Sequence, residues 1–202
     1  PADCGLNTIR AGFSFTCGLR NDTTVLCWGQ NDSGQLGINT NVDSDTPVQV
    51  LNLFGVTQLS VGAGHVCALT NTSEVYCWGA NLDGQLGDSD PTAKRLPFLV
   101  PGLPNITAVA AGGQHSCALD GQGGVWCWGN NGNGQLGNNS KIDSPTPVPA
   151  QGLSGVVRLT AGSDHTCAVK SDDTLWCWGA NFRGQLGDAS NTERLVPTAI
   201  SN

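Results

Sequence analysis

Positive charge is scarce in this sequence. Nine lysines and arginines are spread over 202 residues against sixteen aspartates and glutamates, and the formal net charge is −7. A surface that binds phosphates needs clustered Lys and Arg. No such cluster occurs, which argues against nucleic acid and anionic membranes as partners. Charged residues make up only 12% of the chain and hydrophobic ones 39%, the balance of a packed domain rather than a disordered segment. No apolar run approaches the ~18 residues of a membrane span. No stretch carries a convincing 3.6-residue apolar period, so helices are not expected. No signal peptide is present, and the chain starts at Pro1 rather than Met, as expected of a processed N-terminus or of a boundary. Catalytic and nucleotide signatures are missing as well. No glycine-rich segment runs into Lys-Ser/Thr or shows dinucleotide spacing, and no Gly-x-Ser-x-Gly elbow occurs.

Glycine and repetition are what the chain has in quantity. Its 28 glycines recur at fixed places, which points to demanding turns rather than a flexible linker. The tetrapeptide Gly-Gln-Leu-Gly begins at Gly34, Gly84, Gly134 and Gly184, each 50 residues after the last. The whole sequence follows this period without insertion or deletion, giving repeats of about 1–50, 51–100, 101–150 and 151–202. Each repeat reads as a short apolar strand, a glycine, a strand–turn–strand ending in Cys-Trp-Gly, the segment Asn-x-x-Gly-Gln-Leu-Gly, a polar loop and a Pro-containing strand. Several short strands per unit of this length indicate β-propeller blades.

Eight of the nine cysteines keep the register: Cys17, Cys67, Cys117 and Cys167, each followed ten residues later by Cys27, Cys77, Cys127 and Cys177. Structural zinc sites use closer pairs. Folding residues 67–77 (CALTNTSEVYC) as a hairpin about residue 72 sets Cys67 opposite Cys77 and Leu69 opposite Val75, with Ala68 and Tyr76 on the other face. Directly opposed cysteines on antiparallel strands lie within bridging distance. The expectation is four intra-hairpin disulfides, each contributing roughly 2.5–3 kcal/mol in the chain-entropy model. The alternative is eight buried free thiols, which pack as small hydrophobes. Disulfides place the protein outside the reducing cytosol. Cys4 has Phe, Pro and Ser at its equivalent positions 54, 104 and 154. It is expected to be bonded between molecules, paired beyond the sequence, or free.

Both faces of the central hairpin are apolar, as a blade sandwiched between neighbours requires. The stretch AGGQHSCALDGQGGVWCWGNNGNGQLGNNS (111–140) closely resembles the repeat of the RCC1 (regulator of chromosome condensation) family, with its Ala-Gly-x-x-His, Ala-Leu and Trp-Gly-x-Asn-x-x-Gly-Gln-Leu-Gly. All four units match. The resemblance implies an all-β propeller, usually of seven blades, and the paired cysteines look like those of its secreted and cell-surface members. Guanine-nucleotide exchange and chromatin binding, which the family name suggests, fit poorly with an acidic, cysteine-paired chain that has no inserted wedge.

A motif present in every blade behaves as structure, since catalysis needs one copy. In Gly-Gln-Leu-Gly, the glycines permit the turn, Leu can plug between blades and Gln can bond the loop backbone. His65, His115 and His165, with Phe15 in the first repeat, are read as donors to loop backbone rather than metal ligands. The segment NLDGQLGDSD (81–90) lacks the EF-hand spacing. No catalytic residue, cofactor or metal is expected. Asn21, Asn71, Asn105 and Asn138 head glycosylation sequons, as does Asn31, whose place in the motif assigns it to structure. The four loops 38–46, 88–95, 138–146 and 188–195 vary most, and variation on a fixed frame is where a propeller places a binding surface.

The leading expectation is an extracellular scaffold or binding module acting through protein or glycan contacts, without membrane insertion. A self-assembling structural subunit, as a head-to-tail filament or a multi-chain ring, comes second. An exchange factor or enzyme comes last. Four blades of a family that closes in sevens leave an open arc with an apolar face at each end, and no unit here looks like a polar cap. Those faces are expected to meet further repeats, a second copy or the next molecule of a filament, where Cys4 could lock neighbours together.

Overall fold

The structure, a computed structural model, describes residues 5–201; Cys4 lies outside the described residues. The first repeat folds into β1 (Leu6–Ala11), β2 (Phe15–Arg20), β3 (Val25–Gly29) and β4 (Ser44–Gln49). The second gives β5 (Val56–Val61), β6 (His65–Thr70), β7 (Val75–Gly79) and β8 (Lys94–Leu99). The third gives β9 (Ile106–Ala111), β10 (His115–Asp120), β11 (Val125–Gly129) and β12 (Ser144–Pro149), and the fourth β13 (Val156–Ala161), β14 (His165–Lys170), β15 (Leu175–Gly179) and β16 (Arg194–Ile200). Each set is a four-stranded antiparallel sheet in sequence order, one blade per repeat. No helix occurs among the described residues.

The central hairpin of each blade has the register read from the sequence. Cys17, Cys67, Cys117 and Cys167 face Cys27, Cys77, Cys127 and Cys177 directly, with Cα–Cα distances of 4.1–4.2 Å, and each pair is a disulfide. A five-residue turn, the last residue of the strand with the four of the tip, closes each hairpin. In the first, the Arg20 N–H donates to the Thr24 carbonyl at 2.9 Å and the Thr23 N–H to the Arg20 carbonyl at 3.0 Å. The fourth residue of each turn must adopt positive φ: Thr23, Ser73 and Asp173 do so at 63–68°, and the third blade uses Gly123, which has no Cβ to clash there.

The sheets stack side by side. Strands β1, β5, β9 and β13 pack on one another in series and form the inner end of each blade; β4, β8, β12 and β16 form the outer end. Each blade has a trailing face toward the next blade and a leading face toward the previous one. The trailing face of the first blade offers Cys17, Cys27, Leu19 and Val25. Val56, Leu59, Ala68 and Trp78 of the second blade's leading face cover them, and the next two junctions repeat the arrangement. Trp78, Trp128 and Trp178 are fully buried there. Burial of such apolar surface, at about 25 cal/mol per Å², is what holds one blade to the next.

The Gly-Gln-Leu-Gly segment is part of this packing. Leu36, Leu86 and Leu136 are fully buried between blades. The Gln35 Oε1 accepts the Ser33 N–H at 2.9 Å, closing the turn. A Cβ on Gly34 would lie 2.6 Å from the Arg95 Cα, and one on Gly84 would lie 2.5 Å from the Pro145 Cα. The first glycine of the motif therefore leaves the outer strand of the next blade room to pass over it. Asn31, Asn81, Asn131 and Asn181, all fully buried, pin the loop that follows. Asn131 accepts from the Leu136 N–H at 3.0 Å and donates to the Ser140 and Ile142 carbonyls at 3.0 Å.

The arc does not close. No contact comparable to those between neighbouring blades joins β13 to β1 among the described residues.

Candidate interaction surfaces

Antiparallel order puts two kinds of connection at opposite ends of every blade. The hairpin tips 21–24, 71–74, 121–124 and 171–174 lie on one face of the arc with the interblade linkers; the Asn71 N–H, for example, donates to the Gly55 carbonyl at 2.8 Å. The β1–β2 type turns and the long loops after β3, β7, β11 and β15 lie on the other, joined by bonds such as Gln30 N–H to the Ser14 carbonyl at 2.9 Å. These are the hairpin face and the loop face.

Where the blades meet, a polar clasp recurs. The Trp78, Trp128 and Trp178 indole N–H groups donate to the Gln35, Gln85 and Gln135 carbonyls at 2.8–3.0 Å. The Ser116 hydroxyl also donates to the Gln85 carbonyl, at 2.8 Å, and the Thr166 hydroxyl to the Gln135 carbonyl, at 3.0 Å. Those hydroxyls then accept from the His65 and His115 Nε2–H, at 2.8 and 2.9 Å, a tautomer assigned from the network. Nδ1 of both rings is buried without a partner. A second proton there would be a charge buried away from solvent. Burial accordingly pushes His65 down to about 4. It pushes His115 down to about 3, with His65 and His165 adding to the effect and a backbone contact to Ser163 opposing it. The expectation that the histidines serve loop backbone is corrected here: His65 and His115 bond a hydroxyl of the next blade. No group of three or more His, Cys, Asp or Glu able to hold a metal occurs among the described residues.

Most of the charge on the variable loops is matched internally. Lys94 pairs with Asp88 at 2.8 Å and Asp90 at 2.9 Å, Arg194 with Asp188 at 2.5 Å, and Lys141 with Glu193 across two blades. The Ser190 hydroxyl and the Arg194 guanidinium hold the Asp188 carboxyl well below the usual carboxylate range. Asp45, Arg95 and Arg183 make no ion pair among the described residues, and beside them the loop face carries a row of apolar side chains. Each blade exposes one large side chain at one of two adjoining loop positions: Val42 (69% exposed), Leu82 (86%), Ile142 (78%) and Phe182 (58%). The charges of these loops draw the eye in the sequence and this row does not; its signal is one apolar residue per loop in otherwise polar stretches. Beside the row, the inner turns line an axial groove of about 360 Å³ made of Ala, Gly, Val61, Phe13 and Ser163.

The sequon residues divide between the faces. Asn21, Asn71 and Asn105 are exposed on the hairpin face. Asn138 is half-buried on the loop face and accepts from Asn131 at 3.0 Å. Asn31 is fully buried, its Nδ2 donating to the Thr40 and Val42 carbonyls, which leaves it no room for a sugar.

The two ends of the arc are the remaining surfaces. Ile9 on the first blade's leading face is 56% exposed, and Leu175 on the fourth blade's trailing face 40%. Cys167, unlike its fully covered equivalents, is half-buried.

No curated protein sequence matches the chain. Solved structures do. Human WBSCR16 is 24% identical with a TM-score of 0.89, covering all of this chain and 54% of its own. Prp20p of Saccharomyces cerevisiae is 28% identical with a TM-score of 0.88, covering 99% of this chain and 51% of its own. The CRINKLY ectodomain of the Arabidopsis thaliana receptor kinase ACR4 is 25% identical with a TM-score of 0.52, covering 88% and 51%. The chain thus spans about half the length of these relatives. The model of the RCC1-like domain matches residues 3–202. By the blade, the motif and that match, the chain belongs to the RCC1-like domain family.

Proposed function

We propose that the chain is a non-catalytic protein-binding scaffold that works outside the cell and meets its partner through the loop face. The observation that carries this is the row Val42, Leu82, Ile142 and Phe182, one exposed apolar side chain per blade between self-paired charges. Exposed apolar side chains, one per blade at two neighbouring loop positions of a rigid frame, mark an interaction surface, and their largely aliphatic character favours a protein over a glycan. A relative of the same fold, Prp20p, has binding properties toward Gsp1p and histones, which are proteins. The extracellular setting is supported by four disulfides in one small chain and by the likeness to a receptor ectodomain. Sugar on Asn21, Asn71 or Asn105 would leave the loop face clear.

The test is capture from intact cell surfaces or matrix by the disulfide-bonded chain. Leu82→Ser with Phe182→Ser should abolish capture of a defined partner, and Thr24→Ser on the hairpin face should leave it intact. Equal loss from both, or a native protein whose eight in-register cysteines are free thiols, would sink the reading.

A further inference from the structure

The internal junctions follow a rule that the two ends complete. At a junction, a Gln carbonyl of one blade accepts from a Trp indole of the next. The side chain that opens the second strand of one blade meets the second residue of that strand in the next. Phe15 lies beside Val66 in one apolar cluster. His65 meets Ser116 and His115 meets Thr166, ring to hydroxyl. Apolar is matched with apolar, and histidine with hydroxyl.

Each end of the arc carries one half of such a junction. On the trailing end, Gln185 is exposed and its carbonyl accepts nothing among the described residues, whereas Gln35, Gln85 and Gln135 are buried. His165 has no hydroxyl partner among them either, and its ring is only half-buried where its equivalents are covered. A groove of about 320 Å³ lined by Cys167, Val169 and Leu175, with Arg158 and Thr160 at its side, lies open; its internal equivalents are filled by the next blade. A Cβ on Gly184 would find nothing nearer than 3.5 Å, where its equivalents would strike the next blade's outer strand. On the leading end, the Trp28 indole has no carbonyl to donate to among the described residues, the Thr16 hydroxyl has no histidine, Ile9 is exposed and Leu6 is half-buried. The first blade has a hydroxyl residue, Thr16, where the second has Val66. The free histidine at one end and the free hydroxyl at the other are therefore the matched kind.

We propose that the trailing face of the fourth blade takes the leading face of the first blade of a second copy of this chain, with His165 bonded to Thr16 and the Trp28 indole bonded to the Gln185 carbonyl. A second copy supplies every missing half at once. Burying the two apolar ends removes the exposed edges that a stack of repeats otherwise leaves in water. The end faces are separate from the loop face, and the changes that test them leave the loop face untouched.

Sedimentation equilibrium of the disulfide-bonded chain is the measurement. The wild type should self-associate. Leu175→Arg, which blocks only the trailing face, and Ile9→Glu, which blocks only the leading face, should each be monomeric. Their equimolar mixture should regain dimers, because each variant keeps the face the other has lost. His165→Ala and Thr16→Val should each weaken association about 2- to 10-fold, the range of one hydrogen bond, and together no more than either alone. Tryptophan circular dichroism reports folding; if Leu175→Arg does not fold, Ile9→Glu at the opposite end decides. A wild type that stays monomeric to about 100 μM, or association indifferent to both blocking variants, overturns the proposal, whatever other polypeptide those faces accept.

Discussion

The buried histidines make stability fall in mild acid. Both folded-state pKa values, about 4 for His65 and about 3 for His115, lie below the unfolded value of 6.5. As pH falls, the unfolded chain takes up a proton on each ring before the folded chain does. The stability these neutral rings confer is therefore fully present above about pH 6.5. It is lost progressively below that, until each folded-state pKa is reached. The slope is about 1.4 kcal/mol per pH unit per histidine. Between pH 7 and about pH 4.5 each ring should cost about 2.5 kcal/mol, and the two about 5, a large part of the 5–15 kcal/mol of a typical domain. The half-buried His165, whose pKa burial also lowers against the opposing charge of Asp164, adds to the loss.

The molecule itself contains the control. The first junction runs the same packing with Phe15 and Val66 and has no proton to take up. His65→Phe with Ser116→Val writes that junction into the second and should remove one proton's share of the pH slope, leaving those of His115 and the half-buried His165. Urea denaturation followed by tryptophan fluorescence, at a series of pH values, gives the slope directly. A slope below one proton between pH 6.5 and 4.5, or one the double substitution leaves unchanged, would refute the argument that burial without an Nδ1 acceptor keeps these rings neutral.

Three further outcomes are expected. Asn131→Ala removes three buried bonds to the Leu136 N–H and the Ser140 and Ile142 carbonyls and should cost about 3 kcal/mol in the same assay. Gly134→Ala places a Cβ 2.9 Å from the Leu195 Cα at a φ of +79° and should cost about 2–4 kcal/mol, whereas Gly184→Ala, whose Cβ would meet nothing nearer than 3.5 Å, should cost only the ~1 kcal/mol of the backbone angle. Peptide mapping without reduction should return only the four intra-hairpin pairs, and a mild thiol should open Cys167–Cys177 first, because Cys167 alone among the eight is partly exposed.

The hairpins were legible in the sequence because everything that sets them is local. Two-residue alternation, a turn-rich tip and a cysteine at each end of a ten-residue span fix which residues oppose which, and Ala68 meets Tyr76 as expected. Pairing between blades was not legible in the same way. Its partners lie 51 residues apart for the histidine and its hydroxyl, and 43 for the indole and the Gln carbonyl. No local period reveals a contact that depends on how sheets stack. A signal was nonetheless present: Phe15 is followed one repeat on by Val66, and each of the next two histidines by Ser or Thr. A second signal of this kind lies in the loop charges. Asp88 and Lys94 stand six apart, as do Asp188 and Arg194, and that equal spacing belonged to an internal ion pair rather than to a surface awaiting a ligand.

Four nearly identical repeats do not make four equally stable blades. Stability in such a stack is a sum of each blade's own hairpin and its junctions, and here the hairpin contribution is equalised by one disulfide apiece. The junctions are not equal. The second and third blades are covered on both faces, while the first and fourth each lack one. The fourth shows it in its burial: β14 is only partly covered where β6 is buried along its whole length. Its disulfide therefore works under the least cover, and fraying should begin at β13–β16. Docking a partner on that face would add the missing junction to the blade that needs it most. Amide exchange in β14 thus reports the state of the end face: fast in the monomer, and slowed toward the rate of β10 only when the trailing face is occupied.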